Sequence, residues 1–187
     1  MKKINTENTP RIYVGTYGKY NSGSIFGKWF DLTEYKNLKE FYNALRDYHK
    51  NEYDPEFMFQ DWENIPSCLI GESWIHEEIF DYIEEIQSGN ICYEVFNDFL
   101  SYYYTFDFDS IYQAIEKAQE RFRGCFNSLR EYAEEELEET VKTFELFNGV
   151  ELPDSIKRNL DYEGYKIDLE HGGIRFTENG NVFDHSY

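Results

Sequence analysis

Residues 51–116 contain no lysine and no arginine, yet they hold sixteen of the chain's 37 acidic residues. No other feature constrains the fold as much. An ionised carboxylate is costly to bury without partners, so each of these acids must reach solvent or a hydrogen-bond donor. A 66-residue segment satisfies that by gathering its apolar residues on one face of each element and its acids on the other. The flanks are better balanced. Residues 1–50 carry nine bases against five acids, and residues 117–187 carry nine against sixteen, for a formal net charge of −19. Such an excess favours solubility, opposes compaction through self-repulsion and steers cationic partners inward. It argues against direct nucleic-acid binding, which calls for a basic face.

At 187 residues the chain is long enough for one ordinary domain or for two to three very small ones. A hydrophobic share of 41% supports a packed core and argues against wholesale disorder. The 17 Tyr and 16 Phe favour thin cores, because Tyr suits half-buried positions with its apolar body and polar tip. Cys68, Cys92 and Cys125 are odd in number and far apart, which suits free thiols in a reducing cytosol. The start MKKINTENTPR lacks the apolar core of a signal peptide, and no apolar run approaches the roughly 20 residues of a membrane span. A soluble, cytoplasmic protein is expected.

Residues 1–9 read as a polar leader. Arg11 to Thr16 reads as a strand, Gly18, Asn21 and Gly23 as turn chemistry, and Ser24 to Leu32 as the returning strand of a hairpin with a long loop. Asn37 with Glu40 three residues on predicts a capped helix with Leu38, Phe41, Tyr42, Leu45 and Tyr48 on one face. Phe57 to Trp62 reads as a third strand. Ser73 is expected to cap a helix with Ile75, Ile79, Ile83 and Ile86 inward, stopped by Gly89. Asn90 is expected to open a further helix with Val95, Phe96, Phe99 and Leu100 inward. Ser110 to Phe122 reads as another, using Ile111, Ala114, Ile115 and Ala118. Ser128 and Glu131 form a capping-box pair ahead of the stripe Leu129, Ala133, Leu137 and Val141. Asp154 to Leu160 and Asp161 to His171 read as helices. Ile174 to Thr177 and Val182 to Phe183, split by an Asn-Gly turn, read as a closing hairpin. The predicted class is α+β, elongated, with three small subdomains. Residues 10–66 form a sheet plus helix, 67–123 an acidic helical bundle, and 124–187 helices plus a small sheet.

Residues for catalysis are scarce. His76-Glu77 begins like a zinc-protease helix, but Phe80 stands where the second His would be, so His76 reads as a lone surface histidine. There is no phosphate loop, nucleophile elbow or Cys-His signature. Asp107-Phe-Asp109 lacks the Gly and distal Glu of a calcium loop. A glycosidase-like acid pair stays open, although numerous acids on helix faces are most often only a solvated surface.

The acids also permit a sharper reading. Double-stranded DNA carries one negative charge per about 1.7 Å of axis. Side chains three or four apart on a helix have Cβ atoms about 5–6 Å apart. Acidic helices side by side can therefore present carboxylates at a density comparable with phosphates. Like charges so placed disfavour each helix by a few tenths of a kcal/mol per pair. A surface that keeps them without basic relief points to use of the field itself.

Pro10 to Leu32, PRIYVGTYGKYNSGSIFGKWFDL, resembles the opening signature of the ArdA-type antirestriction proteins. The elements that match are the Ile-Tyr-Val strand, Lys19-Tyr20-Asn21-Ser22-Gly23 and Gly27-Lys28-Trp29-Phe30. The tail is similar too, in Asp161-Tyr162-Glu163-Gly164-Tyr165, Asp168-Leu169 and Gly180-Asn181-Val182-Phe183. This resemblance implies a non-enzymatic protein of plasmids and conjugative transposons, without cofactor or metal. It implies an elongated homodimer joined through the C-terminal parts. The carboxylates of that dimer would imitate bent B-form DNA and occupy the DNA groove of type I restriction-modification enzymes. The expected contact residues are Asp61, Glu63, Glu72, Glu77, Glu78, Asp81, Glu84, Glu85, Asp98 and Asp109, with Glu131, Glu134, Glu135, Glu138 and Glu139 in the third part. The Gly, Tyr and Asn residues at 15–23 fit turn and packing roles better than contact. The rival readings are an acidic module that sequesters another basic protein, such as a nucleoid protein, and a carboxylate-based hydrolase.

Overall fold

Strand β1 (Arg11–Thr16) forms where β-branched and aromatic residues alternate with exposed ones, and it buries Ile12 and Val14 completely. In the computed structural model, which describes residues 9–102 and 108–186, β1 is the centre of an antiparallel sheet of order β2-β1-β3. Strand β2 is Lys28–Asp31 and β3 is Phe57–Glu63. Ile12 lies opposite Phe30 on one side and Trp62 on the other, and a register shift between Tyr13 and Val14 bulges β3. The expected polar leader, residues 1–9, falls almost wholly outside the described residues.

The connection between β1 and β2 holds one helical turn, α1 (Tyr17–Asn21), which Thr16 caps by accepting from the Lys19 amide. Helix α2 (Leu38–Tyr48) starts as its capping box predicts. Asn37 accepts from the Glu40 amide at 3.0 Å, and the Glu40 carboxylate accepts from the Lys36 amide at 3.0 Å. Its buried face is Phe41 and Leu45, with Phe41 edge-on to Phe30 of the sheet.

The expected helix start at Ser73 is corrected. Glu72 and Ser73 form the turn of a small hairpin between β4 (Ile70–Gly71) and β5 (Trp74–Ile75), with Ile70 paired to Ile75. The ladder runs on through the His76 amide to the Leu69 carbonyl, so α3 begins only at Ile79 and spans Ile79–Ser88. Gly89 then closes it in the left-handed region at φ 76°, the conformation only glycine adopts without strain. Helix α4 (Tyr93–Leu100) starts from Cys92, not Asn90, whose side chain bonds Glu85 instead. Helix α5 (Ile111–Arg121) buries Ile111, Ala114, Ile115 and Ala118 as read from the sequence. Tyr82 is fully buried, stacks on Phe96 and donates its hydroxyl to the Asn64 carbonyl, and this burial pushes its phenol well up.

The chain divides into two units, Met1–Lys117 and Ala118–Tyr187. In the second, β6 (Phe122–Cys125), β7 (Ile174–Phe176) and β8 (Asn181–Asp184) form an antiparallel sheet of order β6-β8-β7. Helix α6 (Leu129–Asn148) is capped by Ser128, and α7 (Asp154–Lys157) and α8 (Tyr162–His171) follow. Leu129, Tyr132, Ile174 and Val182 make the core, with Phe126, Leu169 and Phe176 packed around it. Beyond Ala133 the apolar stripe of α6 is no longer buried. The fold is α+β with small sheets. Among the described residues no helix is long and apolar enough to cross a membrane.

Candidate functional site

The expected contact carboxylates fall into three groups. The first reaches solvent and has no ion-pair partner among the described residues. Glu72 sits at the tip of the β4–β5 hairpin, Glu77 just ahead of α3, and Glu84 on its solvent face. Asp81 and Glu85 are half-buried on the same helix, and Asp109 is exposed just before α5. Among the described residues none of these has a lysine or arginine within ion-pair distance. Glu116 belongs with them, exposed on α5 one turn beyond Tyr112. It was not singled out from the sequence, although its i+4 spacing from Tyr112 marks that face. In the second unit Glu135 and Glu138 project from α6 into solvent. On β3, Asp61 is exposed and, among the described residues, accepts only from the Trp62 amide.

The second group is paired. Glu63 accepts from Arg11 across the sheet at 2.6 Å, and Glu134 bonds Arg130, whose guanidinium also reaches Glu163 at 2.8 Å. Glu139 lies 3.8 Å from Lys142 with both side chains exposed, a pair worth little in water. Glu131 closes the capping box by accepting from the Asn127 amide and side chain.

The third group is structural. Asp98 is only 7% exposed on α4, so it is removed from the contact set. Apolar neighbours at Phe96, Phe99 and Leu100 carry it inward, away from the reach of a partner's lysine or arginine. Glu78 accepts from the Ile111 amide at 2.6 Å and so caps the start of α5. Acids at helix N-termini stabilise by about 0.3–1 kcal/mol. His76 is part of this arrangement, its Nδ1 accepting from the Glu78 amide at 3.2 Å.

Electrostatics mark where the first group is densest. The exposed Tyr112 phenol is pushed up by the charge of Asp81 first, then by slight desolvation and by Glu84 and Glu85, and its hydroxyl donates weakly to Asp81 at 3.4 Å. Three carboxylates of α3 therefore act together on one point of α5. Their like charges, without basic relief, make a concentrated negative field.

A different polar cluster underlies the glycine- and tyrosine-rich segment after β1. Lys19 donates to His49 Nδ1 at 2.9 Å and pairs with Glu52 at 3.0 Å, Thr16 donates to Glu52, and Lys19 also sits over the Phe26 ring. His49 is fully buried. These partners hold Thr16 and Lys19 of that segment against the end of α2 and the turn that follows it. Among the described residues the carboxylates of Glu52, Glu145 and Asp184 are held below their usual range, whereas an acid catalyst needs one raised. Glu145 lines a cavity of about 180 Å3 with Glu138 and Tyr162, but a hydrogen bond from Lys157 pulls it down. Among the described residues no group of three or more His, Cys, Asp or Glu is placed to hold a metal; Asp107 lies outside them.

The family model for antirestriction protein (ArdA) matches residues 12–183. The chain belongs to the ArdA family of antirestriction proteins. That match runs from the first core residue of β1 to the last of β8 and so takes in both units. No curated protein matches the chain. ArdA proteins are antirestriction proteins.

Proposed function

We propose that this ArdA protein acts as a DNA mimic, its exposed carboxylates taking the place of phosphates in the DNA groove of a type I restriction-modification enzyme. One observation carries the reading. Glu72, Glu77, Asp81, Glu84, Glu85, Asp109 and Glu116, without an ion-pair partner among the described residues, crowd one stretch of sequence that has no lysine or arginine of its own. Arginine and lysine side chains that grip phosphate accept carboxylate with the same charge-assisted geometry. Asp61, Glu135, Glu138 and Glu139 extend the set, and Glu63, Glu131 and Glu134 join it only by leaving their present partners. The effect is collective, since each contact is weak alone.

The division into three subdomains at residues 66 and 123 belongs to the same reading, as does a homodimer joined through the second unit. Phe144, Leu146, Phe147 and Val150 support the dimer, with Leu146 and Phe147 86% and 89% exposed at the end of α6. Apolar side chains so clustered are typical of a surface that another protein covers. A monomer by sedimentation at micromolar concentration would remove that part.

The test is inhibition of a purified type I restriction enzyme cutting plasmid DNA, titrated with this protein at rising salt. Inhibition that weakens with salt and is relieved by excess DNA is the expected result. A folded protein that leaves several such enzymes uninhibited at any ratio sinks the proposal, and binding to a basic nucleoid protein then becomes the reading to test.

A further inference from the structure

We infer that Glu78 is a positioning residue, a clip between α3 and α5 that fixes the distance between the row of partner-facing carboxylates on α3 and the carboxylate of Glu116 on α5. The inference rests on the DNA-mimic reading. Glu78 stands at the N-cap of α3 but makes no side-chain bond to its own helix. Its backbone is held by the Glu78 amide on His76 Nδ1. Its carboxylate instead crosses to the first residue of α5, where Oε2 accepts from the buried Ile111 amide at 2.6 Å, 33 residues along the chain. The start of α5 is thus capped twice, because Ser110 Oγ takes the Gln113 amide.

One turn further on, a second bond joins the same two helices, from Tyr112 to Asp81. Glu78 ties the start of α3 to the start of α5, and the weaker Tyr112 bond adds a second tether that limits rotation about the first. What they place is a row on α3, Asp81, Glu84 and Glu85, and the exposed Glu116 on α5. A site that reads charges through short hydrogen bonds tolerates displacements of only about 0.5 Å in its supporting shell. The bond from Glu78 is charge-assisted and short, the stronger of the two links.

Two substitutions separate this role from direct contact. Glu78→Gln keeps an acceptor oxygen at the same reach but removes the charge. Glu78→Asp keeps the charge but falls one methylene short of Ile111. Inhibition of the type I enzyme is measured for both, together with hydrogen exchange at the Ile111 amide and a thermal melt. The expected result is that Glu78→Gln inhibits within about twofold of wild type with Ile111 protected. Glu78→Asp should lose about tenfold with Ile111 exchanging faster, which is the scale of one charge-assisted hydrogen bond. The reverse order, Glu78→Asp active and Glu78→Gln weakened, overturns the inference and makes Glu78 a contact. Equal activity of both variants also overturns it. The parent reading has its own control in the same assay, a variant with Glu72, Glu77, Glu84 and Glu85 all changed to Gln. Undiminished inhibition by that folded variant sinks the mimic itself, whereas its loss alongside a failed Gln and Asp contrast sinks only the clip.

Discussion

His49 shows how one residue couples the fold to pH. It is buried, and it accepts a hydrogen bond from a lysine. Burial first, and then the Lys19 charge, hold its imidazole below the ordinary histidine value, against a smaller opposing pull from Glu52. The folded state therefore binds a proton less readily than the unfolded chain. Stability from this site is complete above the unfolded value near 6.5 and is lost as pH falls below it. Burial would raise the neighbouring Glu52, but hydrogen bonds from Lys19 and Thr16 outweigh it and hold that carboxylate down, so its contribution is lost at still lower pH. The expected outcome is a melting temperature that declines as the pH falls below about 6.5, with a decline clearly smaller in His49→Gln. Parallel pH profiles for the two proteins would refute the assignment. Gly27 in the same signature serves packing as well, because a Cβ there would lie 2.5 Å from the Val14 carbonyl oxygen.

At the scale of elements, local chemistry was legible and tertiary chemistry was not. Asn37 with Glu40, Ser128 with Glu131 and the left-handed Gly89 act within a few residues of themselves, and each stops or starts its helix where the sequence indicates. Ser128→Ala is therefore expected to cost about 1 kcal/mol in the unfolding of the second unit. An unchanged denaturation midpoint would show that Asn127 and Glu131 hold the helix start without it. The helix misread at Ser73 failed for a definite reason. Ile75 keeps the four-residue spacing of Ile79 and Ile83, yet its partner is Ile70 across a two-residue turn. Strand β6 was hidden because Phe122 continues the apolar spacing of α5, and only pairing with Phe183 across 61 positions makes it a strand. The site divides in the same way. The density of acids is a property of the sequence, whereas the burial of Asp98 and the reach of Glu78 to Ile111 exist only once α3, α4 and α5 are in place.

The whole molecule is under tension from its own charge. The basic first fifty residues relieve only the beginning of the acidic stretch, through Lys19 on Glu52 and Arg11 on Glu63. Among the described residues no lysine or arginine pairs with Glu72, Glu77, Asp81, Glu84, Glu85, Asp109 or Glu116, and if the field is what the partner reads, the fold and the function must answer oppositely to screening. The Debye length shrinks from about 10 Å at 0.1 M salt to about 3 Å at 1 M. Added sodium chloride should raise the melting temperature by relaxing repulsion within the chain, while it weakens inhibition by masking the carboxylates from the enzyme. The variant with Gln at 72, 77, 84 and 85 should behave as if already screened. Like-charge pairs cost about 0.2–0.5 kcal/mol each, so removing several should stabilise by about 1 kcal/mol, or about 2–4 °C at this chain length. Its melting temperature should also rise less steeply with salt, and its inhibition should start weaker and fall less. Thermal melts and inhibition titrations across one salt series read both effects. A melting temperature indifferent to salt would mean that the acids are already far enough apart not to interact, and they could not then present charge at the density of a DNA backbone.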